Sequence, residues 1–302
     1  MSATASTPAR ASVPTRARSA AQYGSAIVRF IWTHPANSGA RGQALLRAAR
    51  YQLRARVARQ RTLAQLGDRS QLWVDLHRSA ASKVLYANPP DYQEMLVWRE
   101  VLRPGDLFVD VGANIGCYSV WAGEMGANVI ALEPADDTFA LLRENIALNG
   151  YAIQPVQAAA GATCGTAGFT SGRDAGNQFD PGGAVQAAMV TVDSLIGGRP
   201  VAGMKVDVEG FELEVLRGCE QALAAQRIAL IQLEWNATSE TACGTDRKPV
   251  ADLLTRHGYG LFRPDRRGRL LPVTGTGYGE DVFARPLGGP TVVMSRSDEM
   301  GI

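Results

Sequence analysis

The segment FVDVGANIG at residues 108–116 constrains the fold more than any other part of the chain. Its apolar residues are β-branched or aromatic, as in an interior strand. Gly112 and Gly116 allow the backbone to turn sharply and to approach a ligand without an intervening Cβ. A helix beginning near Cys117 would direct its free N–H groups at whatever occupies the turn. The segment therefore predicts the cofactor-binding start of an α/β fold.

A second strand, at residues 129–132, ends in Glu133, about twenty residues beyond the first glycine, where Rossmann-type folds have an acid that binds ribose hydroxyls. The alternative is that Glu133 caps the helix beginning near Asp136. We favour the ribose interpretation because the glycine turn accompanies it.

Asn114 occupies the place of the middle glycine in the G-x-G-x-x-G motif of dinucleotide-binding folds. This residue and the missing third glycine argue against a nicotinamide-dependent oxidoreductase, which remains an alternative with the same sheet. The pattern Asp110-x-Gly112-x-x-x-Gly116 instead resembles the first motif of class I S-adenosylmethionine-dependent methyltransferases. Asp110 would repel a pyrophosphate but could hold a methionine ammonium, directly or through water.

The chain has 302 residues, of which 46% are hydrophobic. This length and composition fit one catalytic domain with extensions. We expect a disordered tail rich in Arg, Ala and Ser at 1–22, an N-terminal extension with a basic helix and short strands at 23–90, a methyltransferase-like domain at 91–286, and a disordered tail at 287–302. The composition of the N-terminal tail also resembles that of an organellar transit peptide. No apolar run approaches the roughly 20 residues that span a bilayer, and no secretory signal is visible, so we expect a cytoplasmic protein. The four cysteines form no C-x-x-C pair, which argues against a zinc site or a disulfide framework.

Charge is distributed unevenly, since eleven arginines and no acidic residue precede Asp68. Residues 41–66 predict a helix with an apolar stripe against an arginine-rich face. The stripe consists of Leu45, Leu46, Ala49, Leu53, Val57 and Leu63. We expect this helix to pack on the catalytic domain with its basic face solvated; contact with an acidic partner or an anionic membrane surface is the alternative. No nucleic-acid-binding motif is present. Strands at 72–76 and 84–87 and a helix at 91–102 are predicted next.

The segment MKVDVEGFE at 204–212 is a short strand that ends in carboxylates. Ligands of open parallel sheets bind at the carboxyl ends of the strands, so Asp207 and Glu209 should lie near Gly112 and Glu133. The next strand, 228–233, ends at the same edge with Glu234 and Asn236. A third core strand is predicted at 155–159. The long segment 161–189 follows it, before residue 204, and carries a predicted hairpin arm at 163–170. Candidate substrate contacts are Arg173, Asn177, Glu212, Glu234 and Asn236.

Together, FVDVGANIG, ALEP followed by LLRENIALNG, TVDSL, and KVDVEGFELEVLRG resemble the FkbM family of S-adenosylmethionine-dependent methyltransferases over residues 104–236. The resemblance implies a Rossmann-like class I methyltransferase sheet, mostly parallel with helices on both faces, that O-methylates a hydroxyl of a sugar, glycan or secondary metabolite. It assigns the cofactor loop to Asp110, Gly112, Asn114 and Gly116, the ribose acid to Glu133, and the D-V-E-G-x-E segment to Lys205, Asp207, Glu209 and Glu212.

A hydroxyl acceptor needs a base, for which Asp207 or Glu209 is the first candidate, while Lys205 pairs with them or stabilises alkoxide charge. Asp207 or Glu209 could also bind Mg²⁺ with Glu234 and Asn236. A metal-free hydrogen-bond network to a polyol is favoured. A non-catalytic S-adenosylmethionine-binding subunit, docked to a partner through its arginine-rich extension, remains a further alternative.

Overall fold

The structure is a computed structural model that describes residues 20–58, 61–74, 83–169, 185–235, 247–273 and 281–288. The N-terminal part contains helices, a short 3₁₀ turn at Pro35–Asn37 and a two-stranded antiparallel sheet. Its elements are α1 (Ala20–Thr33), α2 (Arg41–Ala58), β1 (Thr62–Leu66), β2 (Ser70–Val74), α3 (Lys83–Tyr86) and α4 (Tyr92–Val101). No helix among the described residues combines the length and the apolarity that crossing a bilayer would require.

Strands and helices then alternate along the chain. The elements are β3 (Leu107–Val111), α5 (Cys117–Glu124), β4 (Asn128–Leu132), α6 (Asp136–Asn149), β5 (Ile153–Val156), β6 (Ala159–Ala160), β7 (Gly165–Phe169), β8 (Val185–Val190), α7 (Val192–Ile196), β9 (Gly203–Val206), α8 (Glu212–Arg217), α9 (Glu220–Ala224), β10 (Ile231–Leu233), α10 (Lys248–Arg256), β11 (Tyr259–Pro264), β12 (Leu270–Pro272) and β13 (Val282–Pro286).

The central sheet has eight strands in the order β5-β4-β3-β9-β10-β13-β11-β12. The five strands from β5 to β10 in this order are parallel, whereas β13 runs antiparallel to both β10 and β11, and β12 runs antiparallel to β11. This topology confirms the predicted Rossmann-like α/β fold with a mostly parallel sheet. The carboxyl ends of β3, β4, β9 and β10 therefore meet at one edge.

Alternating side chains of the buried strands supply two apolar layers. In β3, Phe108 packs into the layer that contains Trp98 and Trp121, whereas Val109 and Val111 belong to the layer on the opposite face. Strands buried on both sides require helices on both sides, and this explains their nearly continuous apolar sequences. Asp110 shares the face of Phe108 and so points toward α5.

The β1–β2 hairpin is fastened to α5 and α6. The Glu124 carboxylate accepts hydrogen bonds from the backbone N–H groups of Asp68, Arg69 and Ser70 and from the Ser70 hydroxyl. Side-chain amides of Asn145 and Asn149 bond the β2 backbone much as a neighbouring strand would. Burial tends to raise the pKa of Glu124, but these donors outweigh it and hold the pKa below its usual value.

Two predictions about the N-terminal extension are wrong. The helix predicted at 41–66 ends at Ala58, and Leu63 lies in β1 opposite Trp73. The strand predicted at 84–87 is the single helical turn α3, whose three apolar side chains are all buried. A four-residue apolar run has too little periodicity to distinguish a strand from a helix. Here the run forms a helical turn that packs against α2 and β1.

The remaining predicted strands are close to the observed ones. β2 and β5 each begin two residues before the predicted strand. The predicted hairpin arm at 163–170 is β7, which pairs antiparallel with β8.

Candidate active site

The bend between β3 and α5 has left-handed backbone conformations at Gly112 (φ 80°), Asn114 (φ 52°) and Gly116 (φ 95°). The Asn114 side chain accepts a hydrogen bond from the next backbone N–H at 2.8 Å, the kind of local bond that allows asparagine to adopt this conformation. A Cβ on Gly112 would lie 2.0 Å from the backbone oxygen of Asp207. The bend and the end of β9 are therefore in direct contact, which requires glycine at position 112.

Glu133 is buried at the end of β4 and reaches this bend. Its Oε2 accepts the backbone N–H of Asn114 at 3.0 Å, and its Oε1 accepts the N–H of Ala135, the residue before α6, at 3.0 Å. The carboxylate thus contacts both the proposed cofactor bend and the start of the following helix. Its contact with a ribose stays a prediction.

A row of polar side chains crosses three adjacent strands on the face covered by α5. The strand register places Asp110 beside Lys205, and Lys205 beside Gln232. Asp110 is 1% exposed, and its Oδ2 accepts the Ser119 hydroxyl at 2.6 Å. Its Oδ1 has no hydrogen-bond partner within the described part of the chain. Burial raises the pKa of Asp110, although the Lys205 ammonium opposes this effect.

Lys205 is a buried cation with several partners. Its Nζ lies 2.7 Å from Asp207 Oδ2 and 4.6 Å from the centroid of the Tyr118 ring. Burial acts to lower the pKa of Lys205, but Asp207 and Asp110 outweigh burial and raise it. Burial likewise acts to raise the pKa of Asp207, and the ammonium outweighs it and lowers that pKa. The two residues therefore form an ion pair, which leaves Asp207 a weak base.

Asp207, Glu209 and Glu234 offer carboxylate oxygens that all lie within 4.8 Å of one another. Burial, assisted by the charges of Asp207 and Glu212, raises the pKa of Glu209 to about 7. Burial and the charge of Asp207 raise the pKa of Glu234 well above its usual range. Since closely spaced carboxylates cannot all ionise, this cluster holds protons at neutral pH.

All three carboxylates of this cluster were among the residues predicted for a metal site, which was Asp207 or Glu209 with Glu234 and Asn236. Asn236 lies outside the described residues, as do the predicted substrate contacts Arg173 and Asn177. Glu209 has a left-handed backbone (φ 52°), which is uncommon for a residue other than glycine.

The sequence analysis missed two charged residues near the cluster, Asp281 and Lys83. Asp281, directly before β13, accepts a hydrogen bond from Gln232 Nε2 at 2.8 Å, and burial raises its pKa to about 6. Lys83 at the start of α3 lies 3.5 Å from Asp91, which raises the pKa of Lys83, with smaller contributions from Asp207 and Asp281. Asp281 precedes its strand, so it lies at the ligand-binding edge only because β13 runs antiparallel to its neighbour β10, and the sequence does not reveal that direction. Lys83 gave no comparable signal.

Glu212, a predicted substrate contact, is fully buried in an ion pair with Arg247, and its Oε1 also accepts the Gly210 N–H at 3.1 Å. The Arg247 guanidinium lies 5.6 Å from the centroid of the Trp235 ring. The pair supports the turn that carries Glu209 between β9 and α8. A direct contact of Glu212 with the substrate stays a prediction.

A glycine bend after the first core strand, with acids at the ends of the neighbouring parallel strands, defines the class of Rossmann-like cofactor-binding proteins. Residues 110–261 match the Methyltransferase FkbM domain, about half of the chain. The chain belongs to this family, as the sequence motifs predicted.

Two curated relatives are similar to the chain. A hexuronic acid methyltransferase, AglP, of Haloferax volcanii is 31% identical over 162 residues, which cover 52% of this chain and 64% of the relative. The 31-O-demethyl-FK506 methyltransferase FkbM of Streptomyces tacrolimicus is 30% identical over 161 residues, which cover 40% of this chain and 62% of the relative. The chain thus spans less than two thirds of the length of these relatives.

Solved structures are more distant. The Pyrococcus abyssi tRNA (uracil-54, C5)-methyltransferase in complex with S-adenosyl-L-homocysteine is 11% identical, with a TM-score of 0.41, and the similarity covers 74% of this chain and 43% of that one.

Proposed function

We propose that this chain is an S-adenosylmethionine-dependent methyltransferase that O-methylates a hydroxyl of a sugar, glycan or secondary metabolite. The observation that carries the proposal is the contact between the glycine bend and the backbone of Asp207 at the end of β9, two residues before Glu209, within the FkbM domain match. The names of both relatives support a methyl transfer, in one case to a hexuronic acid and in the other to 31-O-demethyl-FK506.

The residues of the bend suit this cofactor. When bound, S-adenosylmethionine supplies an electrophilic methyl group. The bend between Gly112 and Gly116 would let the cofactor approach the backbone closely, and Glu133 would hold its ribose hydroxyls. Asp110 has a buried carboxylate oxygen without a hydrogen-bond partner among the described residues, and this oxygen suits the methionine ammonium.

We assign the general base to Glu209 rather than to Asp207. A hydroxyl oxygen becomes a good nucleophile as its proton leaves, and a base works best when its pKa lies near the working pH. The pKa of Glu209, raised to about 7, meets this condition, whereas Lys205 keeps the pKa of Asp207 low. In the proposed step the acceptor O–H bond breaks and Glu209 takes the proton, while Asp207 and Lys205 fix the end of β9. The buried Glu212–Arg247 pair holds the turn.

In this proposal the Lys205 ammonium and a proton on Glu234, rather than Mg²⁺, offset the charge of the cluster of Asp207, Glu209 and Glu234. A hard divalent cation would also suit these oxygens. The two possibilities differ in their response to a chelator. We expect full activity after treatment with EDTA and no gain on adding Mg²⁺. Loss of activity on chelation, with recovery on adding Mg²⁺, would assign the cluster to a metal.

Two measurements test the proposed function. Calorimetry should detect binding of both S-adenosylmethionine and S-adenosylhomocysteine, and transfer of a labelled methyl group should be found with some member of a panel of sugars, glycans and hydroxylated metabolites. Glu209→Gln should lower the transfer rate by about 10²–10⁴-fold, the usual contribution of a general base, without weakening cofactor binding. Glu220→Gln is the matched control, because the Glu220 side chain is 62% exposed on α9.

The alternatives give different results in the same measurements. A non-catalytic subunit would bind S-adenosylhomocysteine but transfer no methyl group alone, and Glu209→Gln would not change its partner's activity. A nicotinamide-dependent oxidoreductase would release a nicotinamide nucleotide on denaturation, which mass spectrometry would identify. Absence of binding to either sulfur nucleoside would refute the proposal.

A further inference from the structure

The outer face of α2 does not have the polarity of an ordinary solvated helix. Ala44, Ala48 and Tyr51 form its buried face. On the opposite face, Leu46 is 51% exposed and Leu53 is 66% exposed. The stripe predicted to pack inward therefore faces water in part, with arginines interleaved. The basic–apolar face, as we define it, consists of Leu46, Arg47, Arg50, Leu53 and Arg54.

A groove of about 620 Å³ runs along this face between α2, β1 and α3. Arg47, Arg50 and Arg54 line it on one side, and Leu63 of β1 lies on the other. None of its described lining residues is acidic. Arg47 is partly engaged, since its Nε donates to the backbone oxygen of Leu85 at 3.0 Å. The groove thus combines apolar walls with cationic side chains, and it differs from the acidic cluster at the strand ends.

We infer that the basic–apolar face docks on an anionic phospholipid surface. Charge complementarity calls for an anionic partner, because α1 and α2 contain no acidic residue and the whole chain before Asp68 contains none. A helix at a bilayer interface buries its apolar side chains among the acyl chains while its arginines reach the phosphates. Leu46 and Leu53, on either side of Arg50, fit that arrangement.

Other polyanions fit this face less well. Single-stranded nucleic acid binds without sequence readout through aromatic side chains that stack on the bases, and the exposed part of this face presents leucine instead. Duplex DNA would pair with the arginines but would leave the two leucines in water. An acidic protein would pair with the arginines but would have to supply its own apolar groove for two leucines separated by two helical turns. A phospholipid monolayer meets both requirements with one surface. The inference concerns docking and does not depend on the proposed methyl transfer.

Vesicle co-sedimentation of the full-length chain tests this inference. We compare vesicles of phosphatidylcholine alone with vesicles of phosphatidylcholine and phosphatidylglycerol in equal parts. Binding should require phosphatidylglycerol and should weaken as salt is raised. An arginine near an anionic surface contributes about 1 kcal/mol, so Arg50→Gln combined with Arg54→Gln should weaken partitioning about 30-fold. Leu53→Ser should weaken it several-fold.

Matched variants on another surface keep the test specific. Arg266→Gln with Arg267→Gln removes two exposed arginines from the turn before β12, and Leu271→Ser removes a leucine that is 52% exposed. These controls should bind vesicles like the unaltered protein. Circular dichroism and thermal unfolding establish that each variant is folded.

Three outcomes would overturn the inference. They are failure to bind anionic vesicles at low salt, equal loss of binding in the control variants, and unchanged binding after Arg50 and Arg54 are replaced. The last outcome would mean that arginines elsewhere, such as those before α1, supply the attraction.

Discussion

Replacement of Gly112 by alanine tests the contact on which the candidate site depends. Gly150, which ends α6, is the matched position, because its φ of 67° is similar to the 80° of Gly112 and a Cβ there would meet nothing within 4 Å. Left-handed alanine costs about 1–2 kcal/mol at either position. Only at Gly112 would the new Cβ approach the Asp207 backbone oxygen to 2.0 Å, and such overpacking adds about 1–3 kcal/mol.

We therefore expect the free energy of unfolding to fall by about 1–2 kcal/mol in Gly150→Ala and by about 2–5 kcal/mol in Gly112→Ala. Denaturant unfolding measures both values. Calorimetry with S-adenosylhomocysteine should show unchanged affinity for Gly150→Ala and at least about tenfold weaker binding for Gly112→Ala, since relief of the clash must separate the bend from β9. Equal destabilisation of the two variants, or unchanged binding by Gly112→Ala, would refute the reasoning.

Three further predictions concern the buried charges. Lys205→Met should lower the free energy of unfolding by about 3–5 kcal/mol, because Asp207 and Asp110 would lose their common cation; a loss below about 1 kcal/mol in denaturant unfolding would contradict this. The rate of methyl transfer should rise with pH and level off above a pH of about 7, where Glu209 has lost its proton, and a profile that is flat from pH 5 to 9 would exclude this base. The pKa of Glu209 is raised on folding from 4.5 to about 7, so its contribution to stability is complete below 4.5 and is lost as pH rises through about 7. Allowing for partial exposure, that loss is on the order of 1–2 kcal/mol, and Glu209→Gln should abolish it in pH-dependent unfolding measurements; an unchanged pH dependence would show that other groups are responsible.

The sequence predicted the parts of the site that depend on local pattern. A β-branched strand followed by two glycines identified the bend at Gly112, and the alternation of strands and helices indicated that the ends of β4, β9 and β10 share an edge. The acids at those ends, Glu133, Asp207 and Glu234, followed from position alone. Each of these predictions needed only residues close together in the chain and the rule that ligands bind at the carboxyl ends of parallel strands.

Features that depend on register or strand order were not predictable. Asp110, Lys205 and Gln232 are far apart in sequence, and their alignment in one row follows from how three strands pair. Asp281 joins them only because β13 inserts between β10 and β11 in the reverse direction. The choice of Glu209 over Asp207 likewise depended on the ion pair that Lys205 forms, which sequence spacing does not reveal.

The hydrogen bonds that Glu124 of α5 accepts from the β1–β2 hairpin bear on where the folding unit begins. The family match starts at residue 110, yet Leu66, Leu72 and Val74 of the hairpin are buried in the same apolar layer as the core of the sheet. A fragment limited to residues 110–261 would lack the β1–β2 hairpin. It would expose to solvent the surfaces of α5 and α6 that the hairpin covers, and the Glu124 carboxylate would lose its backbone N–H donors. We therefore expect the smallest independently folding unit to start upstream of β1, outside the region that matches the family.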